Sequence, residues 1–216
     1  IQASIFATND MPTEAANQHE IGIHPNFQGR TQNPDDIRNV ISECLEFFPN
    51  AKGMRSHALV NSTRHYFVIR DHFRQVTYTS NYYLPYVDHL KPMRIQSEAY
   101  ELPIYWMDHL HIETAGNVDK DNLMKKISKP GLKIFDFHPF HIFINSRTRS
   151  HFEAAKNSSH EPSRLLEFRE SGAGARMFLK FLLSACKENG WKTLSCQNVI
   201  HQFANTKTGT GFDQDF

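Results

Sequence analysis

The sequence predicts an α/β fold in which helices pack outside a set of parallel strands. Short apolar segments typical of buried strands alternate along the chain with helical patterns, as in repeated β-α units. The length of 216 residues fits one domain with a sizeable core. Candidate functional residues follow several different strands, which favours a (β/α) barrel over an open doubly wound sheet with one switch point. Ligands are then expected at the carboxyl ends of the strands.

Short apolar runs bounded by polar or turn-forming residues predict the strands. These runs are residues 3–7, 20–24, 53–56, 76–79, 103–107, 132–137 and 191–194. The chain begins directly with a strand-like pattern at residues 1–8. We therefore expect the first strand of the barrel to precede Ile1 and to be missing from this chain.

Apolar residues at helical spacing predict helices between these strands. Asp35 and Asp36 suit the first turn of a helix, and Pro49 closes the same helix. Further helices are predicted at residues 64–73, 119–127 and 173–188.

Two polar stretches are predicted to lie outside these elements. Residues 145–174 lack periodicity and are expected to form a long surface loop, mobile or lid-like. Residues 206–216 are polar and rich in glycine, which is typical of a terminal tail. Residues 1–205 are therefore predicted to form a single barrel domain.

The composition excludes several classes of function. Lys+Arg of 24 against Asp+Glu of 23 gives a formal net charge of +1, and no basic run stands out, so nucleic-acid binding is not expected. No apolar stretch reaches the roughly 18 residues of a membrane span, and the start of the chain lacks a signal-peptide pattern. Cys44, Cys186 and Cys196 are odd in number and lack C-x-x-C spacing, which predicts reduced thiols and a cytoplasmic location.

Two His-Pro turns, His24-Pro25 and His138-Pro139, stand where apolar segments stop. Each imidazole is therefore expected at the carboxyl end of a buried strand. A neutral imidazole in that position is a good ligand for zinc or a similar divalent ion, which makes His24 a candidate metal ligand. The chain has 13 histidines, so an isolated one such as His19 is interpreted as a surface or structural residue.

The strand that follows ends in Gly53-Met-Arg55-Ser-His57. Arg55 is suited to fixing a carboxylate through a charge-assisted pair, and His57 is expected to project beside His24. A surface arginine and a histidine that flanks a helix are the alternative interpretation.

A further strand ends in Trp106-Met-Asp108, an aromatic ring followed by a carboxylate. Trp106 is interpreted as a core residue. Asp108 is either a helix cap or a partner that orients an arginine or polarises a histidine. His138 is the candidate general acid, and His141 is the weaker candidate because its apolar neighbours indicate the start of another element.

Taken in order, these motifs resemble the polysaccharide deacetylases, the NodB-like carbohydrate esterase family. The resemblance covers nearly the whole chain, and it is carried by the order and spacing of the motifs together. The matching segments are Ala3-Ser-Ile-Phe-Ala7-Thr8, His19-Glu-Ile-Gly-Ile-His24, Arg55-Ser-His57-Ala58, Trp106-Met-Asp108, Phe135-Asp-Phe137-His138-Pro139 and the closing stretch 174–194. The chain is most similar to divergent members of surface-polysaccharide biosynthesis clusters.

The resemblance implies a distorted (β/α) barrel and a metal-dependent hydrolase, with zinc as the expected metal, that removes an acetyl group from an amino sugar or polysaccharide. It assigns His24 and His57 as metal ligands and His138 as the general acid that protonates the leaving group. Arg55 and Asp108 are expected to lie close together and to position the charged partners. The residues expected against the sugar face are Trp106, Tyr82 and Tyr83.

Two positions depart from the family pattern. The second metal histidine of the family lies four residues after the first, where this chain has Gln28, so His57 is assigned in its place. The Thr-Phe-Asp-Asp motif of the first strand supplies the catalytic base and a metal ligand, and it is expected upstream of Ile1. Asp10 follows the next strand and is kept only as a minor candidate at the strand ends.

Two other functions are weighed against the enzyme. A non-catalytic saccharide-binding or scaffold protein would keep the barrel and lack the base, whereas an Asp-x-Asp or Asp-Asp sequence on a preceding strand would favour the enzyme. An amidohydrolase is the third interpretation, and the absence of a visible His-x-His motif on its first strand counts against it.

Overall fold

Strands and helices alternate along much of the chain, as the sequence pattern predicts. The structure, a computed structural model, describes residues 2–9, 11, 13–30, 33–95, 98–114 and 120–208. The chain divides into two compact units, the first formed by residues 1–83, 90–103 and 193–216, and the second by residues 84–89 and 104–192.

The elements are numbered in chain order. The strands are β1 (Ser4–Ala7), β2 (Glu20–Ile23), β3 (Gly53–Met54), β4 (Tyr78–Thr79), β5 (Met93–Arg94), β6 (Tyr100–Glu101), β7 (Ile104–Met107) and β8 (Ile134–Asp136). The helices are α1 (Thr13–Gln18), α2 (Pro34–Phe47), α3 (Thr63–His72), α4 (Asp108–Thr114), α5 (Lys120–Ile127), α6 (Pro139–Ile144), α7 (Arg149–Lys156), α8 (Pro162–Glu167), α9 (Ala175–Glu188) and α10 (Cys196–Thr208). A short 3-10 turn covers His57–Leu59.

The first unit is organised around a six-stranded sheet with the order β1-β2-β3-β4-β6-β5. Neighbouring strands are parallel except for β5, which is antiparallel to β6. Two glycines permit the close packing of rings on this sheet. A Cβ atom on Gly22 would lie 2.7 Å from the ring of Phe6, and one on Gly53 would lie 2.0 Å from the ring of Tyr78. The parallel arrangement brings the residues that follow β2, β3 and β4 to one edge of the sheet.

Helix α2 forms where the sequence places its start signals. Oδ1 of Asn33 accepts a hydrogen bond from the backbone N of Asp36 at 2.9 Å, and Pro34 occupies the first turn. The apolar face of α2 belongs to the core cluster that also contains residues of β2, β3 and α3. The buried residues of this face are Ile37, Val40, Ile41, Cys44 and Leu45.

The second unit contains the two-stranded parallel sheet β7-β8 and helices α4 to α9. Asn145 joins two of these helices. Its backbone is left-handed, with φ 56°, at the end of α6, and its Nδ2 donates to the carbonyl oxygens of Glu170 and Gly172 at 3.0 and 3.1 Å. Its Oδ1 accepts from the backbone N of Met177 at 3.2 Å. One buried amide therefore fixes the end of α6 against the start of α9.

The predicted α/β class is confirmed, and the strands of six predicted segments are present with shorter bounds. Closure of the strands into a barrel and the single-domain assignment stay predictions. Residues 191–194 were expected to be a strand, and this is wrong: the backbone N of Trp191 remains bonded to the carbonyl of Cys186 at the end of α9. Asp10 and residues 209–216 lie outside the described residues, whereas residues 206–208 continue α10.

The stretch 145–174 also differs from the expected loop, because it contains α7 and α8. Oγ1 of Thr148 accepts from the backbone N of His151 at 3.2 Å and caps α7, and Pro162 occupies the first turn of α8. Both helices bury an apolar residue against Ile144. No helix within the described ranges is long and apolar enough to cross a membrane.

Candidate active site

The structure brings His24 and His57 together at the carboxyl ends of β2 and β3. The backbone N of Arg55 donates to the carbonyl of Ile23 at 3.0 Å, and the backbone N of His57 donates to the carbonyl of Pro25 at 2.9 Å. The two imidazole rings lie edge to face, with centroids 5.6 Å apart. Two imidazoles at neighbouring strand ends are of the side-chain type that commonly binds zinc.

Arg55 directly follows β3 and is buried. Its Nε donates to the carbonyl of Ser80 at 3.2 Å, its Nη2 donates to Oγ of Ser80 at 2.8 Å, and its guanidinium lies 4.5 Å from the ring centroid of Phe6. These contacts fix the carboxyl end of β3 against that of β4. The expected proximity of Arg55 and Asp108 stays a prediction.

A buried carboxylate that the sequence analysis missed completes the polar part of this unit. The side chain of Glu101 accepts hydrogen bonds from the backbone N of Asn81 at 2.5 Å, from the backbone N of Tyr82 at 3.0 Å and from the hydroxyl of Thr79. Burial raises the pKa of Glu101, and these hydrogen bonds oppose the rise. Asn81 in turn accepts the backbone N–H of Ser56 on its Oδ1 at 2.8 Å.

The second unit places Asp108 directly against His138. Asp108 follows β7 and His138 follows β8, so the parallel pairing of these strands brings the two residues together. Oδ1 of Asp108 lies 2.6 Å from Nδ1 of His138, and Oδ2 accepts the backbone N–H of His138 at 2.8 Å. The Asp108 side chain is 0% exposed, whereas the His138 side chain is 43% exposed. Burial raises the pKa of Asp108, and the hydrogen bonds from His138 oppose this rise.

His141 lies next to this pair but has a different environment. It is 1% exposed; its Nδ1 is bonded to Oγ of Ser146 at 2.9 Å and its Nε2 to Nδ1 of His109 at 3.1 Å. Burial lowers the pKa of His141 to about 3, and charge on the neighbouring histidines adds to the effect. At neutral pH His141 is therefore a neutral, fully hydrogen-bonded ring, which is unsuited to the role of general acid.

Asp108, His138 and His141 present ligand atoms that all lie within 4.8 Å of one another, a spacing that a metal ion could use. Asp108 already accepts three hydrogen bonds, one of them from the backbone N of His109, and both ring nitrogens of His141 are bonded. An ion at this position would have to displace several of these bonds. The donor set therefore fits an acid–base group better than a metal site.

The residues expected to contact sugar have different positions. Trp106 is 1% exposed and packs 4.4 Å from the ring centroid of Phe178, which is the core position that the sequence analysis named as its other interpretation. Tyr82 is exposed and Tyr83 is half-buried. A mostly apolar cavity of about 310 Å³ lies beside Trp106, Asp108 and Ser146 in the second unit.

The residues that sequence reasoning missed share recognisable signals. Ser80 and Asn81 are polar residues directly after the strand predicted at 76–79, which is the same signal that identified His24 and His138. Glu101 is a carboxylate between the apolar residues Tyr100 and Leu102, a position that requires hydrogen-bond partners if it is buried.

Comparisons with known proteins identify relatives of this chain. Residues 1–156 match the model of the family described as WbmS-like polysaccharide deacetylase. The fold is similar to the crystal structure of WbmS from Bordetella bronchiseptica, which carries the provisional description of a polysaccharide deacetylase involved in O-antigen biosynthesis. The TM-score is 0.74 and the sequence identity 25%, over 86% of this chain and 79% of the WbmS chain. The comparison with curated proteins found no match.

The family match extends over most of the chain and includes every motif from the β1 segment to His138. This chain therefore belongs to the WbmS-like polysaccharide deacetylase family.

Proposed function

We propose that this protein is a metal-dependent deacetylase that removes an acetyl group from an amino sugar or a polysaccharide. The Asp108–His138 pair is the observation that carries the proposal. A fully buried carboxylate that holds Nδ1 of a half-exposed imidazole orients the ring, which is the arrangement of a histidine that serves proton transfer.

His138 is the proposed general acid of this reaction. With Nδ1 held by Asp108, the transferable proton is carried on Nε2 and moves to the leaving nitrogen or oxygen of the sugar as its bond to the acetyl carbon breaks. The negative charge of Asp108 favours the protonated ring that this step requires. His141 does not compete for the role, because it is buried and neutral.

His24 and His57 are the proposed metal ligands, and zinc is the proposed metal. Two imidazoles on adjacent strand ends are suitable zinc donors, and the backbone bonds at Arg55 and His57 keep the two rings in contact. When bound, the ion supplies Lewis acidity that polarises the acetyl carbonyl and favours ionisation of the attacking water. Arg55 is proposed to position the groups around the ion, because its buried guanidinium ties β3 to β4.

The substrate is proposed to be an acetylated saccharide of a surface polysaccharide. The description of WbmS as a protein of O-antigen biosynthesis supports this choice. Tyr82 is the best placed of the predicted sugar-contacting rings because it is exposed, and Tyr83 is proposed beside it. Three free cysteines support a reducing, cytoplasmic location.

Acetate release tests the proposed function. The full-length protein is incubated with a panel of N-acetylated and O-acetylated oligosaccharides after chelation and again after zinc is restored. We expect release that chelation abolishes and zinc restores. Saccharide binding without any acetate release would instead favour the non-catalytic binding protein.

A further inference from the structure

Asn81 holds the segment that carries His57. It follows β4, is 4% exposed, and its Oδ1 accepts the backbone N–H of Ser56 at 2.8 Å. Ser56 directly precedes His57 in the chain. One side-chain acceptor on the neighbouring strand therefore fixes the backbone at the point where the chain leaves β3.

The buried amide of Asn81 is only partly satisfied by hydrogen bonds. Nδ2 of Asn81 is buried and has no hydrogen-bond partner within the part of the chain that the structure describes. The opposite orientation of the amide is excluded, since it would direct Nδ2 at the N–H of Ser56. The unsatisfied nitrogen carries a desolvation cost, and it is offset by the bond to the buried N–H of Ser56, which an apolar side chain would leave without this acceptor. The acceptor is therefore explained by the segment that it holds.

That segment is conformationally strained. Ala58 and Leu59 both have left-handed backbone angles, with φ of 53° and 55°, although neither is glycine. Such residues persist where the surrounding contacts determine the backbone, and they are concentrated at functional sites. The contacts that flank the strained pair are the bond from Ser56 to Asn81 and the bond from His57 to the carbonyl of Pro25.

The backbone of Asn81 is itself held by Glu101. Its backbone N–H donates to the fully buried carboxylate of Glu101, which also accepts from the backbone N of Tyr82. The order of contacts thus runs from Glu101 to Asn81, from Asn81 to Ser56 and from Ser56 to His57. None of these groups is part of the Asp108–His138 pair.

We propose that Asn81, supported by Glu101, is a positioning residue that sets the imidazole of His57 against that of His24 so that both contact one divalent ion. The inference rests on the proposed function, because it takes these two histidines as the metal ligands. Hydrogen-bond partners of this kind commonly change metal affinity by about 10–100-fold when they are removed.

Zinc titration of the parent and two variants tests the inference. Asn81→Leu removes the acceptor while keeping the volume, and Asn81→Asp retains the acceptor oxygen. Against the parent, we expect Asn81→Leu to bind zinc about 10–100-fold more weakly. Asn81→Asp should bind at least as tightly as the parent. Amide hydrogen exchange at Ser56 in the metal-free protein should be faster in Asn81→Leu and unchanged in Asn81→Asp.

Asn145→Leu is the matched control, because it removes another buried asparagine, one whose side chain holds backbone groups of the second unit. It should lower stability without changing zinc affinity. His57→Ala separates the two claims. If His57→Ala loses zinc and Asn81→Leu does not, the positioning role is wrong and the metal site stands. If zinc binding does not depend on His57, the proposed metal site is wrong and the inference falls with it.

Discussion

Each unit of the protein contains a buried carboxylate close to the end of a strand, Glu101 in the first and Asp108 in the second, and these two carboxylates hold different partners. Glu101 in the first unit accepts from two backbone N–H groups and a hydroxyl, none of which titrates near neutral pH. Asp108 in the second unit holds the imidazole ring of His138, a side-chain type that can both donate and accept a proton. Burial raises the pKa of both groups. The nature of the partner, and not burial alone, separates a positioning carboxylate from one that serves proton transfer.

The largest effect expected from this comparison concerns the metal. His57→Ala should lose most of its zinc affinity, since it removes one of two proposed imidazole ligands, whereas His141→Gln should bind zinc like the parent. Zinc titration of the two variants, with Gln28→Ala as the control for the exposed position near His24, checks this result. The opposite ranking would place the ion at Asp108, His138 and His141 and would contradict the roles proposed for the two units.

Replacing each of these two carboxylates by the corresponding amide tests whether their hydrogen-bond partners differ in energy. A glutamine at position 101 can accept both backbone N–H groups on Oε1 and donate to Thr79, so Glu101→Gln should change the free energy of unfolding by less than about 1 kcal/mol. Asp108→Asn must direct Nδ2 at a backbone N–H or at His138, so it should lose about 1–3 kcal/mol. Denaturant unfolding at pH 7 measures both. Equal losses would show that the two carboxylates do not differ in this way.

A further expected effect is a pH dependence of stability that arises from His141. Its pKa is about 3 in the folded protein, against about 6.5 in an unfolded chain, so the unfolded state binds more protons between these values. The contribution of neutral His141 is therefore complete above about pH 6.5 and is lost as the pH falls, by at most about 1.4 kcal/mol per pH unit. Charge on His109, His138 and His151 acts in the same direction.

The difference in unfolding free energy between the parent and His141→Gln isolates this contribution. The raised pKa values of Asp108 and Glu101 give the opposite trend, which is stabilising at low pH and lost as the pH rises, and they act in both proteins. The parent should lose its advantage over the variant between pH 7 and pH 4. A difference that stays constant over this range would contradict the buried, neutral assignment of His141.

The sequence was sufficient to predict that His24, His57, Asp108 and His138 follow strands, because each stands where a short apolar run stops. It could not show that Asp108 contacts His138, since this depends on the pairing of β7 with β8. Asn81 also follows a strand, but its role depends on a contact with Ser56 in another element. Strand ends are therefore predictable from a single sequence, whereas their pairing is not.

The helices missed within 145–174 have a related cause. Thr148 and Pro162 are local start signals, but α7 and α8 are too short to be stable alone and depend on tertiary packing. Their buried residues Ala155 and Leu165 lie against Ile144, a contact that no periodicity within the polar stretch reveals. The stretch is polar, as the sequence shows, but the prediction that it lacks regular structure is wrong.

The kcat for acetate release by His138→Ala, measured beside its zinc content, tests the central claim most directly. The account predicts that the kcat of this variant falls by about 10²-fold or more, because proton transfer is lost. Zinc should be bound as in the parent, because the proposed metal ligands are retained. His141→Gln should keep most of the parental kcat. The reverse ranking of the two variants, or loss of zinc from His138→Ala, would contradict the assignment of Asp108 and His138 as the proton-transfer pair.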